Sequence, residues 1–162
     1  MVSEPELIQL PEKPNARLPQ LGTCYTAEAP VEHLERLELA HLRLDLQLND
    51  PSWRDDLRHV AELKLPLELA LHLPSNDEGA TAADVAKLCR QLGVSLARVL
   101  ALRKGEPATS EATYDAIKET FVETPVGVGS DCNFCELNRE HALGNLAPDP
   151  AVLFWSIAAQ VH

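Results

Sequence analysis

The chain has 162 residues, 45% of them hydrophobic, and this length predicts one domain with a core of its own. Its formal net charge of -11 disfavours nucleic acid and anionic membranes as partners. There is no run of about 18 apolar residues that would span a bilayer. The acidic first residues lack the apolar centre of a signal peptide, so we expect a cytoplasmic protein.

The amino-terminal part leads into a pattern of alternating strands and helices. Residues 1–16 contain three prolines and no sustained period, which predicts an extended lead-in to a domain over residues 17–162. A first strand is predicted within 17–25 and a short amphipathic helix over 31–40. Segment 41–48 then alternates without a break, so its leucines share one face of a strand. The opposite face carries His41, Arg43, Asp45 and Gln47.

The same alternation continues to the end of the chain. We predict helices over 53–65, 82–92 and from Thr109 or Ser110 to 122, with Thr81 capping the second and Gly93 ending it. Strands are predicted over 67–73, 96–102 and from Pro125 to Ser130, and a final strand over 152–161. The strand at 67–73 places Glu68 and His72 opposite its leucines. Polar residues crowd positions 131–139, and 140–150 is predicted to be a loop.

This order of elements predicts a barrel. Strand and helix alternate with a repeat of about 25–30 residues, which is typical of right-handed β-α units in a parallel sheet. Several strands are apolar on one face only, which favours helices on one side and a polar barrel interior on the other. The fold class is therefore α/β, a partial TIM-type barrel of about five or six parallel strands, since a complete barrel takes roughly 250 residues. An open parallel α/β sheet is the alternative.

The four cysteines do not form the pattern of a disulfide scaffold. Cys132 and Cys135 have the spacing of a redox pair or of half a zinc site. A redox pair is expected at the start of a helix, whereas this one is predicted to follow a strand among acidic groups. A structural zinc site would need a second pair, which only Cys24 or a histidine could supply. We therefore expect no metal and no cofactor.

Four short motifs resemble a known family. They are the strand that begins at His41, the Gly-Val-Gly-Ser-Asp strand that ends at Asp131, the segment Phe-Cys-Glu-Leu-Asn-Arg at 134–139, and Ala-Gln-Val-His at 159–162. In this order and spacing they resemble the central barrel of the D-apionate lactonase family. The family consists of bacterial sugar-lactone hydrolases whose barrel is similar to that of retaining glycosidases. Its members are much longer and carry β-rich domains on both sides, and the cysteines at 132 and 135 depart from its pattern.

The resemblance implies hydrolysis of a carbohydrate lactone, similar to D-apionolactone, by carboxylate-assisted attack of water. Such a reaction needs a base to activate water and donors that stabilise the oxyanion. Glu136 is the first candidate for the base, because its position just past a strand end allows partial burial. Arg43 and His162 are candidate donors. The candidate substrate-binding residues are Asp45, Glu68, His72, Asp131, Asn133, Asn138, Arg139 and Gln160.

Two alternatives stay open. Glycoside hydrolysis would need a second carboxylate opposite Glu136, for which Glu68 or Asp45 could serve. A non-catalytic barrel fragment would instead act as an interaction domain, either as a homo-oligomer or by binding a missing barrel half through its open sheet edges. Glu136 within reach of Arg43 would favour the hydrolase, and a large self-complementary interface would favour the interaction domain.

Overall fold

The structure, a computed structural model, describes residues 19–26, 34, 36–75 and 81–157. In this part of the chain six strands alternate with four helices. The strands are β1 (Gly22–Cys24), β2 (His41–Gln47), β3 (Leu67–Leu73), β4 (Leu96–Arg103), β5 (Val126–Ser130) and β6 (Val152–Trp155). The helices are α1 (Trp53–Ala61), α2 (Ala82–Leu92), α3 (Glu111–Lys118) and α4 (Phe134–Leu143).

The six strands form one parallel sheet in the order β1-β2-β3-β4-β5-β6, which curls into half a barrel. A doubly wound sheet would reverse its strand order at a switch point, and this sheet does not. Because each right-handed crossover steps in the same direction, the helices all lie on the outer side. The fold is thus the partial TIM-type α/β barrel that the sequence predicted.

The outer face of the sheet carries the main core. Leucines of β2 and β3 face α1 and α2, where Trp53, Leu57 and Val85 are fully or almost fully buried. Each such side chain contributes roughly 1.5–3 kcal/mol through removal of apolar surface from water. The inner face is mixed, with polar side chains on β2 and β3. A small apolar cluster lies beside them, made of Ala70, Leu100, Leu102 and Phe154.

Helix starts follow local side-chain chemistry. Thr81 caps α2 in a capping box with Asp84, and Gly93 ends that helix with a φ of 67°, as predicted. Ser110, rather than Thr109, caps α3 by accepting a hydrogen bond from the backbone of Thr113. Of the predicted helix over 31–40, residues 31–33 and 35 lie outside the described residues, and 36–38 form a turn rather than part of a helix. Predicted helices 53–65 and 110–122 are each shorter, ending at Ala61 and Lys118.

Two predictions for the segment after β5 are wrong. Residues 140–143 belong to α4 rather than to a loop, and Gly144, with a φ of 73°, ends this helix. The helix begins early because the side chain of Asn133 accepts hydrogen bonds from the backbone of Cys135 and Glu136. The pair Cys132 and Cys135 therefore lies at the start of a helix, contrary to expectation.

Thr109 links β4 to β5 where their own pairing ends. Strands β4 and β5 pair only at Val99↔Val126 and Leu100↔Gly127. Beyond that point the buried hydroxyl of Thr109 donates to the carbonyl of Ala101 and lies 3.1 Å from that of Gly129. It also accepts the Gly129 N–H at 3.0 Å. The side chain of one loop residue thus supplies hydrogen bonds between β4 and β5 where their backbone pairing ends.

We expect Thr109→Val to lower the free energy of unfolding by about 2–4 kcal/mol, because a buried donor and a buried acceptor lose their partner. Urea denaturation followed by circular dichroism measures the change. Thr109→Ser keeps the hydroxyl and serves as the control, with an expected loss of about 1 kcal/mol for the methyl group. A valine variant as stable as the serine variant would contradict the assigned role of the hydroxyl.

Candidate active site

Four polar side chains meet near the carboxyl ends of the strands, and we call them the Arg43 cluster: Arg43, Asp45, His72 and Asp131. Arg43 and Asp45 are two positions apart on β2, so both lie on its inner face. His72 lies on the same face of β3, opposite Gln47 in the register. Asp131 directly follows β5. The carboxyl ends of barrel strands form the face where active sites of this architecture lie.

Arg43 is the cationic centre of the cluster. Its Nε donates to Asp45 Oδ2 at 3.0 Å and its Nη2 to Asp45 Oδ1 at 2.8 Å, a bidentate pair. The same Nη2 lies 3.5 Å from Asp131 Oδ1. One guanidinium therefore joins a carboxylate of β2 to the carboxylate of Asp131 at the exit of β5, which is 88 positions from Arg43 in the sequence.

His72 lies between the same two carboxylates. Its Nε2 is 3.3 Å from Asp45 Oδ1, and its Nδ1 is 3.5 Å from Asp131 Oδ2. Ionised carboxylates only accept hydrogen bonds, so Nε2 donates to Asp45, and Nδ1 faces Asp131 at the limit of hydrogen-bonding distance. The His72 side chain is 15% exposed, compared with 42% for Asp131.

The two carboxylates differ in their electrostatics. Burial of Asp45 raises its pKa, but the hydrogen bonds from His72 and Arg43 outweigh burial and lower the pKa to about 2. The hydrogen bond to Asp45 raises the pKa of Arg43 above its usual value, against the effect of burial. Asp45 is thus a fixed anion that orients its neighbours. The two side chains are exposed to a similar extent, 39% for Asp45 and 42% for Asp131, so the longer contacts of Asp131 are what leave it the more available to a ligand.

A second polar group lies closer to the amino ends of the strands. Glu68 accepts a charged contact from Arg98 Nε at 3.1 Å and lies 3.7 Å from His41 Nε2. Its side chain is 13% exposed. Within the described residues, the hydrogen bonds and ion pairs of Glu68 do not reach the Arg43 cluster. Its contacts are those of a group that fills the barrel interior.

The other candidate residues lie on or beside α4. Glu136 pairs with Arg139 at 2.7 Å along the helix, Asn133 is the helix cap, and Asn138 is exposed. Among the described residues, neither hydrogen bonds nor ion pairs join these side chains to the Arg43 cluster. The structure thus does not bring Glu136 to Arg43, and a role for this group in binding or catalysis stays a prediction. Gln160 and His162 lie outside the described residues.

Sequence reasoning named each member of the Arg43 cluster but missed its organisation around His72. It also missed two hydroxyl residues that hold the exit of β5, Thr109 and Ser130. Alternation along a strand identifies the inward side chains, whereas Thr109 lies in a loop and Ser130 ends β5, a buried strand without alternating polar residues.

Two clefts lie away from this cluster. One of about 420 Å³ is lined by residues of α2 and of 120–124, including Cys89 and Phe121. The other, of about 230 Å³, lies between α1 and α2 and includes Arg54 and Lys87. Neither is lined by a member of the Arg43 cluster. Active sites of barrel enzymes lie at the carboxyl ends of the strands, which favours the Arg43 cluster over both clefts as the active site.

In 19–26, 34, 36–75 and 81–157, groups of three or more His, Cys, Asp or Glu side chains arranged to hold a metal ion are absent. In the same ranges, the helices are too short or too polar to cross a membrane.

A comparison with models of protein families identifies the family of the chain. The family model described as "D-apionate lactonase, TIM barrel domain" matches residues 21–162. No curated protein matches the chain. The match spans the six strands and the whole Arg43 cluster. The chain therefore belongs to the D-apionate lactonase TIM barrel domain family.

Proposed function

We propose that the chain carries the active site of a hydrolase that opens a carbohydrate lactone similar to D-apionolactone. The observation that carries the proposal is the Arg43 cluster, at the carboxyl ends of the strands in a barrel of a lactonase family. It places an imidazole and a guanidinium each 3.5 Å from the carboxylate of Asp131. Lactone hydrolysis needs a base, an acid and a positive charge near the developing oxyanion.

Asp131 is the base in this proposal, in place of Glu136. Its carboxylate is 42% exposed and its contacts to Arg43 and His72 are both 3.5 Å, so a water molecule can compete for its oxygens. Asp45 is a poorer choice, because a carboxyl with a pKa of about 2 holds a proton weakly. Arg43 supplies the positive charge beside the attacked carbonyl.

The reaction balances within the cluster. Asp131 takes a proton from water, whose oxygen bonds to the lactone carbonyl carbon and forms a tetrahedral oxyanion. The ring C–O bond then breaks, and the leaving alkoxide takes a proton from His72. The proton on Asp131 returns to His72 across the contact between Oδ2 and Nδ1. The net change is addition of water to give a hydroxy acid.

Glycoside hydrolysis is the second candidate, favoured by one observation. Asp45 and Asp131 both contact Nη2 of Arg43, at 2.8 and 3.5 Å, so the two carboxylates lie close together. Retaining glycosidases use two carboxyl groups about 5–5.5 Å apart. In that case Asp45, with its lowered pKa, would be the nucleophile and Asp131 the acid.

The interaction-domain alternative rests on the edges of the sheet. In the described residues, β1 and β6 each pair with one strand. Leu153, Trp155 and Ile157 are exposed on and just after β6. Open edges of this kind offer backbone groups to another strand, from a second copy or from a missing part of the barrel.

The test is hydrolysis of a panel of aldonolactones, including D-apionolactone, with aryl glycosides as a second panel. We expect the wild-type chain to open lactones, and His72→Gln to lower kcat by about 100-fold, since glutamine cannot pass a proton to the leaving alkoxide. His59→Gln, the same change at an exposed position of α1, is the control. Turnover of glycosides alone would replace the proposal with the second candidate. No turnover on either panel would refute catalysis by this chain.

A further inference from the structure

The hydroxyl of Ser130 holds the chain where it leaves β5. Ser130 is fully buried, and its Oγ donates to the carbonyl of Pro107 at 2.6 Å. The same oxygen accepts the N–H of Cys132 at 3.0 Å. A serine side chain that bonds the backbone two residues further on closes a tight turn. The central residue of this turn is Asp131.

The two partners of this hydroxyl are themselves held. Pro107 lies in the loop between β4 and α3, and Thr109 of that loop is bonded to Gly129 of β5. On the other side, the carbonyl of Cys132 accepts the N–H of Ser156, just past β6, at 3.1 Å. The backbone of Asp131 is thus tied to two neighbouring segments through Ser130 and Cys132.

Asp131 has little margin for displacement. Its two charged contacts, to Arg43 and to His72, are both 3.5 Å long, near the limit of a hydrogen bond. A displacement of about 1 Å at a reacting group can cost on the order of 100-fold in rate. We propose that Ser130 is the positioning residue for Asp131, so that its buried hydroxyl sets the carboxylate against Arg43 and His72. This inference rests on the proposed function of Asp131 as base.

The experiment compares Ser130→Ala with Ser110→Ala in lactone hydrolysis. Both changes delete one serine hydroxyl of a turn or cap, but Ser110 caps α3 and does not contact Asp131. We expect Ser130→Ala to lower kcat by at least about 10-fold with KM nearly unchanged. Ser110→Ala is expected to leave kcat within about 2-fold of wild type, since loss of a cap affects stability.

A double-mutant cycle separates positioning from general destabilisation. In the Asp131→Asn background, Ser130→Ala should change kcat by less than about 2-fold, because the group that it positions is already disabled. An undiminished 10-fold effect in that background would overturn the inference, even with lactone hydrolysis established. If the wild-type chain opens no lactone, the proposed function fails separately. Crystal structures of the wild type and of Ser130→Ala then test the positioning role. An unchanged distance from Asp131 to Arg43 in the variant would overturn it.

Discussion

Asp131→Asn should lower kcat for lactone hydrolysis by about 100- to 10,000-fold and leave KM within a few-fold, the range typical for loss of a general base. An amide has nearly the shape of a carboxylate but cannot take a proton from water. It can still accept a hydrogen bond from Arg43 or His72 through its oxygen, so the fold around it should persist. Initial rates at saturating lactone, with stability checked by thermal unfolding, measure the effect.

Two companion variants make this result specific. Asp115→Asn is the same chemical change at an exposed position of α3, far along the outer layer, and should leave kcat unchanged. Glu136→Gln tests the competing assignment. If Glu136 is the base, its variant loses the activity and Asp131→Asn retains it. That ranking would move the reaction centre from the Arg43 cluster to the start of α4.

The barrel could be predicted from the sequence because its strands carry a strong periodic signal. Strand β3 runs from Leu67 to Leu73, with the bounds that alternation predicted. In β2 the same alternation identified Arg43 and Asp45 as inward-facing, and the register with β3 confirms that their face is shared. Apolar residues on one face and polar residues on the other also favoured a curled sheet over a doubly wound one.

Helix α4 was missed because its first turn resembles a binding site. Asn133 was interpreted as a substrate-binding residue and Glu136 as the general base, and the structure shows in addition that Asn133 caps the helix and that Glu136 pairs with Arg139 one turn later. Cap residues and site residues have the same chemistry, since both offer oxygens to N–H donors. Only the helical period that follows separates them, and in α4 only Leu137 and Glu140 are buried.

The organisation of the site depended on distances that a sequence does not contain. The separation of Asp131 from His72 follows from the register of β3 to β5 and from how strongly the sheet curls. Ser130 and Thr109 set the exit of β5 through side-chain bonds to a loop, and the conformation of a loop has no repeating pattern. Each member of the cluster was therefore identified singly, and its contacts with the other members were not predicted.

We expect the largest loss of stability from a substitution where β5 and β6 pack closely. Gly129 is paired with Phe154, and a Cβ at position 129 would overlap the Phe154 carbonyl oxygen and lie 2.7 Å from two ring atoms. A backbone oxygen cannot move aside without breaking the ladder between the two strands. We expect Gly129→Ala to lower the free energy of unfolding by about 3 kcal/mol or more, at or beyond the usual cost of overpacking.

The two tryptophans of the chain can show where the damage lies. Trp53 is buried in the outer core, whereas Trp155 ends β6 and packs edge-to-face on Phe134 at 5.5 Å. In Gly129→Ala, urea titration should show the fluorescence of Trp155 changing at lower denaturant than that of Trp53, as Trp155 loses its packing on Phe134, each followed in a background with the other tryptophan replaced by Phe. Gly105→Ala, strained by a φ of 92° but free of contacts, is the control and should cost about 1 kcal/mol. Equal losses in both variants would mean that β6 is not packed on Gly129. The apolar cluster beside the Arg43 cluster would then need another support.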